Sequence, residues 1–205
     1  MISHALTILK NELNAHLAGS YQATTPQVDL GNLAEGFAQG TGGGLARDKL
    51  YLSVVNIKEE KTLKNVPNFS RNEATLKTVY QNPPVFLNFL LLMSAVHADY
   101  TNALLVLSRV IRYFQAKNVF TEGNVAPASL TTASPVNSLD TLTAFKLILD
   151  LYSPTMEEIN HLWGTLGGKQ YPFVLYMLRM LDLQFATPPR EEPLVQEVVR
   201  DIQHK

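Results

Sequence analysis

The chain has no cysteine, so it forms no disulfide, offers no thiolate nucleophile and cannot hold zinc through sulfur. Charge of one sign is also missing. Seventeen Lys and Arg against 18 Asp and Glu leave a formal net charge of −1, which excludes a bulk electrostatic pull toward nucleic acid or an anionic membrane. The most apolar stretch, Val85 to Val96, is too short for a bilayer, which needs roughly 20 apolar residues as a helix. The N-terminal segment MISHALTILKNELNAHL lacks the charged start and continuous apolar core of a secretory signal, so synthesis and folding in the cytoplasm are expected. No serine sits in a GxSxG elbow, no histidine belongs to an HExxH pair, and there is no internal repeat.

What is present is enough for one sizeable core: 205 residues at 46% hydrophobic content. Asn82 to Thr121 is the most legible part. Val85 to Val96, interrupted only by Asn88 and Ser94, reads as a strand covered on both faces. From Tyr100 the period changes to that of a helix, with Leu104, Leu107, Ile111 and Phe114 as the apolar stripe and Asn102, Arg109, Arg112 and Gln115 on the other side. Ile2, Leu6, Leu9, Leu13 and Leu17 mark a first helix ended by Gly19-Ser20, with Asn11, Glu12 and Asn14 on its polar side. Gln27 to Leu33 reads as a short edge strand. Lys49 to Ile57 reads as a central strand with large apolar groups on both faces, Leu50, Leu52 and Val54 on one and Tyr51, Val55 and Ile57 on the other, before a charged, solvated exit through Lys58 to Lys61. Asn65 to Gln81 and Glu122 to Leu139 read as long loops.

In Thr143 to Tyr152, Phe145, Leu147, Leu149 and Leu151 alternate with Lys146 and Asp150, the pattern of a half-buried strand. Pro154 opens a helix at its first position, with Met156, Ile159, Leu162 and Trp163 as its apolar face, and the glycines at 164, 167 and 168 stop it. Tyr171 to Leu183 is a last long strand. Past Pro188-Pro189, Leu194, Val198 and Ile202 recur at spacing four and predict a short docking helix. The expected fold is α/β (α+β): one domain over residues 1–185 with a mixed sheet of about four to five strands flanked by helices, then a C-terminal arm over 186–205.

Candidates for chemistry do not converge. Gly40 to Gly44 lacks the Gly-Lys-Ser/Thr ending of a phosphate loop and feeds no helix. His97 and His161 stand alone, and His4 and His16 are too far apart on one helix to share an ion. Asp140, Asp150, Glu157 and Glu158 are each explained by local structure before acid/base work. Arg109 and Arg112, one turn apart, are the candidate grips for an acidic partner, beside the apolar trio Leu194, Val198 and Ile202. No catalytic residue, cofactor or metal is assigned.

Several blocks carry a resemblance. Leu52 to Ile57 with Glu59-Glu60, Asn82-Pro83-Pro84-Val85-Phe86-Leu87-Asn88, and Leu107-Ser108 through Phe114-Gln115 to Phe120-Thr121 are among them. So are Asn160-His161-Leu162-Trp163-Gly164, Leu166-Gly167-Gly168, Tyr171-Pro172 and Tyr176 to Met180. In collinear order over about residues 1 to 185, the chain resembles the tail-cap, or tail-terminator, proteins of contractile phage-tail-like injection particles of the antifeeding-prophage type. Some members of that family continue into a further C-terminal β-domain, whose role is not carried over.

The resemblance implies a non-enzymatic protein that forms a homohexameric ring, binds the last layer of sheath and inner tube and ends their growth. It implies no nucleic acid and no membrane insertion, and a particle that is released or attached to a membrane. Strand addition between neighbours needs an open sheet edge or a free arm, for which Gln27 to Leu33, the two long loops and the C-terminal arm are the candidates. Two other readings stay open: a sheath- or baseplate-linked adaptor of the same machine, and a small-ligand or nucleotide-binding α/β domain using the glycine loop.

Overall fold

The computed structural model describes residues 1–37, 44–63, 67, 69–72, 77–80, 82, 84–183 and 190–193. They divide into two compact units. The larger takes residues 1–59 and 87–181, and the smaller takes residues from 60–86 and 182–205.

The larger unit is built on a six-stranded mixed sheet, one or two strands more than the sequence predicts. Its order is β1 (Val28–Leu30), β2 (Lys49–Glu59), β5 (Val85–Val96), β8 (Phe173–Leu183), β7 (Lys146–Tyr152) and β6 (Val119–Thr121). β1 runs parallel to β2, β2 antiparallel to β5, and β7 antiparallel to both β8 and β6. The Ala95 N–H donates to the Pro172 carbonyl at 2.9 Å where the end of β5 meets the start of β8. The expected edge strand at Gln27 to Leu33 is β1, and the Val85 to Val96 strand is β5 with the same bounds. The smaller unit holds a three-stranded sheet, ordered β3 (Phe69–Asn72), β4 (Lys77–Tyr80) and β9 (Arg190–Pro193). The hairpin of β3 and β4 lies in the stretch read as an irregular loop.

Cross-strand partners share a face of the sheet, and the register sorts the core into two layers. Tyr51, Leu92 and Val96 lie on one face, where they pack with Leu175, Leu33 and Trp163 of α4 (Met156–Thr165). Leu50, Leu52, Leu91, Met93 and Ala95 lie on the other face, all at most 1% exposed, and α2 (Tyr100–Ala116) packs there on β2. Phe114 of α2 meets Phe120 of β6 and Tyr176 of β8 in an aromatic cluster, with ring centroids 6.1 and 5.1 Å away. A bulge between Val54 and Asn56 breaks the alternation of β2. An extra residue in one strand switches every later side chain to the opposite face, so Ile57 pairs with Phe89 on the face of Leu50, and it is 49% exposed. The sequence placed it with Tyr51.

The helices also depart from expectation in their faces. α1 (Ile2–Tyr21) continues past Gly19-Ser20 and ends on Gln22 in the left-handed region at φ 54°. It buries His4, Ala5, Ile8, Leu9, Glu12, Leu13 and Leu17, while Ile2 and Leu6 are only half-buried. α2 starts on Asp99, whose side chain accepts from the Thr101 N–H at 3.0 Å. Its buried stripe is Ala103, Val106, Leu107, Val110, Tyr113 and Phe114; Leu104 is exposed and Ile111 half-buried, a rotation of the predicted stripe. α4 is capped by Thr155, not opened by Pro154: Thr155 and Glu158 exchange side-chain-to-backbone bonds in a capping box, and Met156 is exposed. Gly167 and Gly168, both at positive φ, let the chain turn back after it. A short helix, α3 (Pro127–Thr131), interrupts the loop from Glu122 to Leu139.

Candidate interaction surface

The polar side of α1, with Asn11, Glu12 and Asn14, tethers other segments to the first helix. Asn11 donates to the carbonyls of Ser129 and Thr132 at 3.1 and 2.9 Å. The Glu12 carboxylate accepts from Lys117 Nζ at 2.7 Å and from the Ala126 N–H at 2.9 Å, with the Tyr113 hydroxyl at 3.4 Å. Burial pushes this carboxyl up, but the bonds from Lys117, Ser129 and Ala126 and the Lys117 charge outweigh it and hold Glu12 below the usual range. Burial and the neighbouring carboxylate together push the Tyr113 hydroxyl up. His4 is buried, takes the Leu142 N–H on Nδ1 at 2.8 Å and faces the Leu130 carbonyl through Nε2 at 2.9 Å. Nδ1 therefore accepts, and the ring proton sits on Nε2. Three side chains of α1, His4, Asn11 and Glu12, bind the segment from Ala126 to Leu142 to the first helix.

Asn14 reaches β1. Its amide nitrogen donates to the Val28 carbonyl at 2.8 Å and its oxygen accepts from the N–H groups of Gln27 and Val28 at 2.9 and 3.0 Å. Asp29 accepts from the Leu30 N–H at 2.9 Å and pairs with Lys49 at 2.9 Å and Lys10 at 3.9 Å. Desolvation raises the Asp29 carboxyl, but the bonds from Lys49 and Leu30 prevail and lower it. At the opposite edge Asn124 donates to the Val119 carbonyl and accepts from the Thr121 N–H, both at 2.9 Å. On the β1 edge, expected to be open for a neighbour's strand, the Val28 N–H and carbonyl and the Leu30 N–H are thus engaged from within.

The sequence candidates for chemistry remain dispersed. Asp150 pairs with Arg179 at 2.8 Å, Glu158 serves the α4 cap and accepts from the Tyr152 hydroxyl, and Glu157 lies 3.8 Å from His161 on the exposed face of its helix. Asp140 is 4.0 Å from the N-terminal amine. His97 is lowered, chiefly by burial and against the pull of Asp48 and Asp99, and its Nδ1 is buried without a hydrogen-bond partner among the described residues. Among the described residues no three His, Cys, Asp or Glu side chains gather as a metal site, and no helix is long and apolar enough to cross a membrane. Gly40 to Gly43 lies outside the described residues.

Arg109 and Arg112 do not share an environment. The Arg109 guanidinium lies over the Tyr21 ring at 4.3 Å and is half-buried, whereas Arg112 is exposed. Leu194, Val198 and Ile202 lie outside the described residues. A separate apolar surface was not singled out in the sequence: Tyr100, Leu104 and Leu105 at the start of α2 are 66%, 42% and 46% exposed. Tyr100 and Leu104 line a groove of about 390 Å³ with Leu107, Tyr171, Pro172 and Phe173. Large exposed apolar patches mark contact surfaces more often than isolated exposed residues do.

A family model described as the Pvc16 N-terminal domain matches residues 4–197. No curated protein matches the chain. Among solved structures, it is similar to the sheath/tube terminator of the PVC extracellular contractile injection system in its extended state, with a TM-score of 0.58 and 13% identity over 100% of this chain and 64% of that one. It is also similar to the tube-terminating cap of the anti-feeding prophage, with a TM-score of 0.52 and 15% identity over 95% of this chain and 60% of that one. The chain thus spans less than two thirds of the length of either, and at such identity the likeness is one of fold.

Proposed function

Because the chain belongs to the Pvc16 N-terminal domain family, we propose that it is a structural cap of a contractile, phage-tail-like injection particle. In this reading six copies form a ring on the last layer of sheath and inner tube and end the growth of both. It carries out no catalysis. The observation that carries the proposal is the likeness of fold, over at least 95% of this chain, to a sheath/tube terminator and to a tube-terminating cap.

A closed ring needs heterologous contacts, each subunit offering one surface to the next and a different one to the last. Each contact should bury on the order of 1,200 Å². Arg112, the exposed Tyr100–Leu105 surface and the arm that carries Leu194, Val198 and Ile202 are the candidates for those contacts and for contacts to sheath and tube. Arg109, stacked on Tyr21, shapes the α2 surface. Synthesis and assembly take place in the cytoplasm, before the particle is released or attached to a membrane. Particles produced without this chain are expected to show variable sheath and tube lengths and frayed distal ends under the electron microscope. Particles of normal length with intact ends would overturn the reading.

A further inference from the structure

Among the described residues the six-stranded sheet is open, and its two outer strands, β1 and β6, are three residues each. An open edge is a template for a strand from another chain. In β1 the Gln27 carbonyl and the Gly31 N–H are used on the β2 side, at 2.8 and 3.2 Å. Backbone groups alternate in direction along a strand, so those of Val28 and Leu30 point outward. In β6 the Asn118 carbonyl is used on the β7 side, accepting from Leu149 at 2.8 Å, so those of Val119 and Thr121 point outward.

Five of these eight outward groups are taken up by side chains, and the Thr121 carbonyl by backbone N–H groups. Asn14 holds both the N–H and the carbonyl of Val28, as one residue of an antiparallel partner strand would. Asn124 holds the carbonyl of Val119 and the N–H of Thr121, as one residue of a parallel partner would. A carboxamide offers one acceptor oxygen and an N–H donor, the same pair a peptide group presents. The remaining outward N–H of β1, on Leu30, is closed by the Asp29 carboxylate. The Thr121 carbonyl accepts from the backbone N–H groups of Asn124 and Val125 at 3.1 and 3.2 Å. Asn124 is exposed, so water would satisfy the β6 edge at no desolvation cost. A side chain in that slot excludes competitors and adds little else.

We propose that Asn14 and Asn124 are plugs that close both edges of the six-stranded sheet against a strand from a second copy of this chain. The inference stands apart from the cap reading. Contacts between copies then pass through faces, loops and arms, not through β1 or β6.

The test is sedimentation velocity over a concentration series of the wild-type chain, Asn124→Ala, and Asn14→Ala with Asn124→Ala, with infrared spectra for intermolecular β-structure. The variants are expected to form species larger than any the wild type forms, from concentrations about tenfold lower, and to gain intermolecular β signal. In the wild-type chain, the Val28 and Thr121 amides are expected to exchange hydrogen about tenfold more slowly than free amides, the factor one hydrogen bond of this kind supplies. Folded variants that sediment as the wild type does would overturn the proposal. Unprotected exchange at both amides of the wild type would overturn it as well. Asn124→Ala, at an exposed site, keeps the test decisive should the double variant not fold.

Discussion

Replacing Glu12 is the sharpest probe of how the fold holds its loop in place. The carboxylate is buried and accepts from Lys117 at 2.7 Å and Ala126 at 2.9 Å. A hydrogen bond to a charged group contributes about 1.5–3 kcal/mol. The Lys117 share falls toward about 1 kcal/mol because its side chain is 28% exposed and screened by solvent. Glu12→Gln keeps an acceptor for Ala126 and is expected to cost about 1–2 kcal/mol. Glu12→Ala also leaves the Ala126 N–H without its partner and is expected to cost about 3 kcal/mol. For a chain of this size that lowers Tm by about 6–12 °C.

The pH dependence has a definite sign. The folded carboxyl titrates below its ordinary value of 4.5, so its contribution is complete above pH 4.5 and is lost as pH falls through the folded value. Urea melts of wild type and Glu12→Gln should therefore converge below pH 4.5. A difference that stays constant from pH 7 down to pH 3, or a Glu12→Ala cost under about 0.5 kcal/mol, would refute the reasoning.

Three further outcomes are expected. A Cβ at Gly31 would come within 2.8 Å of both Leu45 Cδ2 and the buried Tyr51 ring, and the Tyr51 hydroxyl is held by the Ala46 carbonyl at 2.7 Å; Gly31→Ala should cost about 1–3 kcal/mol in a denaturant melt. His4→Leu removes two bonds to the segment from Leu130 to Leu142, and amide exchange there should rise while α4 is unaffected. Thr155→Ala removes the α4 cap and should cost about 1 kcal/mol by the same melt.

Strands whose burial is settled by their own residues were legible. β5 is apolar but for Asn88 and Ser94, and the alternation over Thr143 to Tyr152 placed Phe145, Leu147 and Leu149 inward, whereas Leu151, read on the same face, is 59% exposed at the end of β7. Where burial depends on what lies opposite, the pattern misled. The bulge at Val55 moved Ile57 across the sheet, and α2 turned to bury Ala103, Val106 and Tyr113 in place of Leu104 because α1 and β2 pack against it. Asn11, Glu12, Asn14 and Asn124 have the composition of a wet surface, and nothing in a polar residue says whether its partner is water or a backbone group distant in sequence. The hairpin of β3 and β4 has too few large apolar residues to announce a strand. No catalytic constellation was found in the sequence, but surfaces that work by shape leave no spacing to read, so the contact residues stayed obscure as well.

The most direct measurement is the position of this chain in an assembled particle, by electron cryomicroscopy of particles carrying a tagged copy. The account predicts sixfold density for it on the end remote from the baseplate, against the last layer of sheath and tube. Density at the baseplate, or along the length of the sheath, would contradict it.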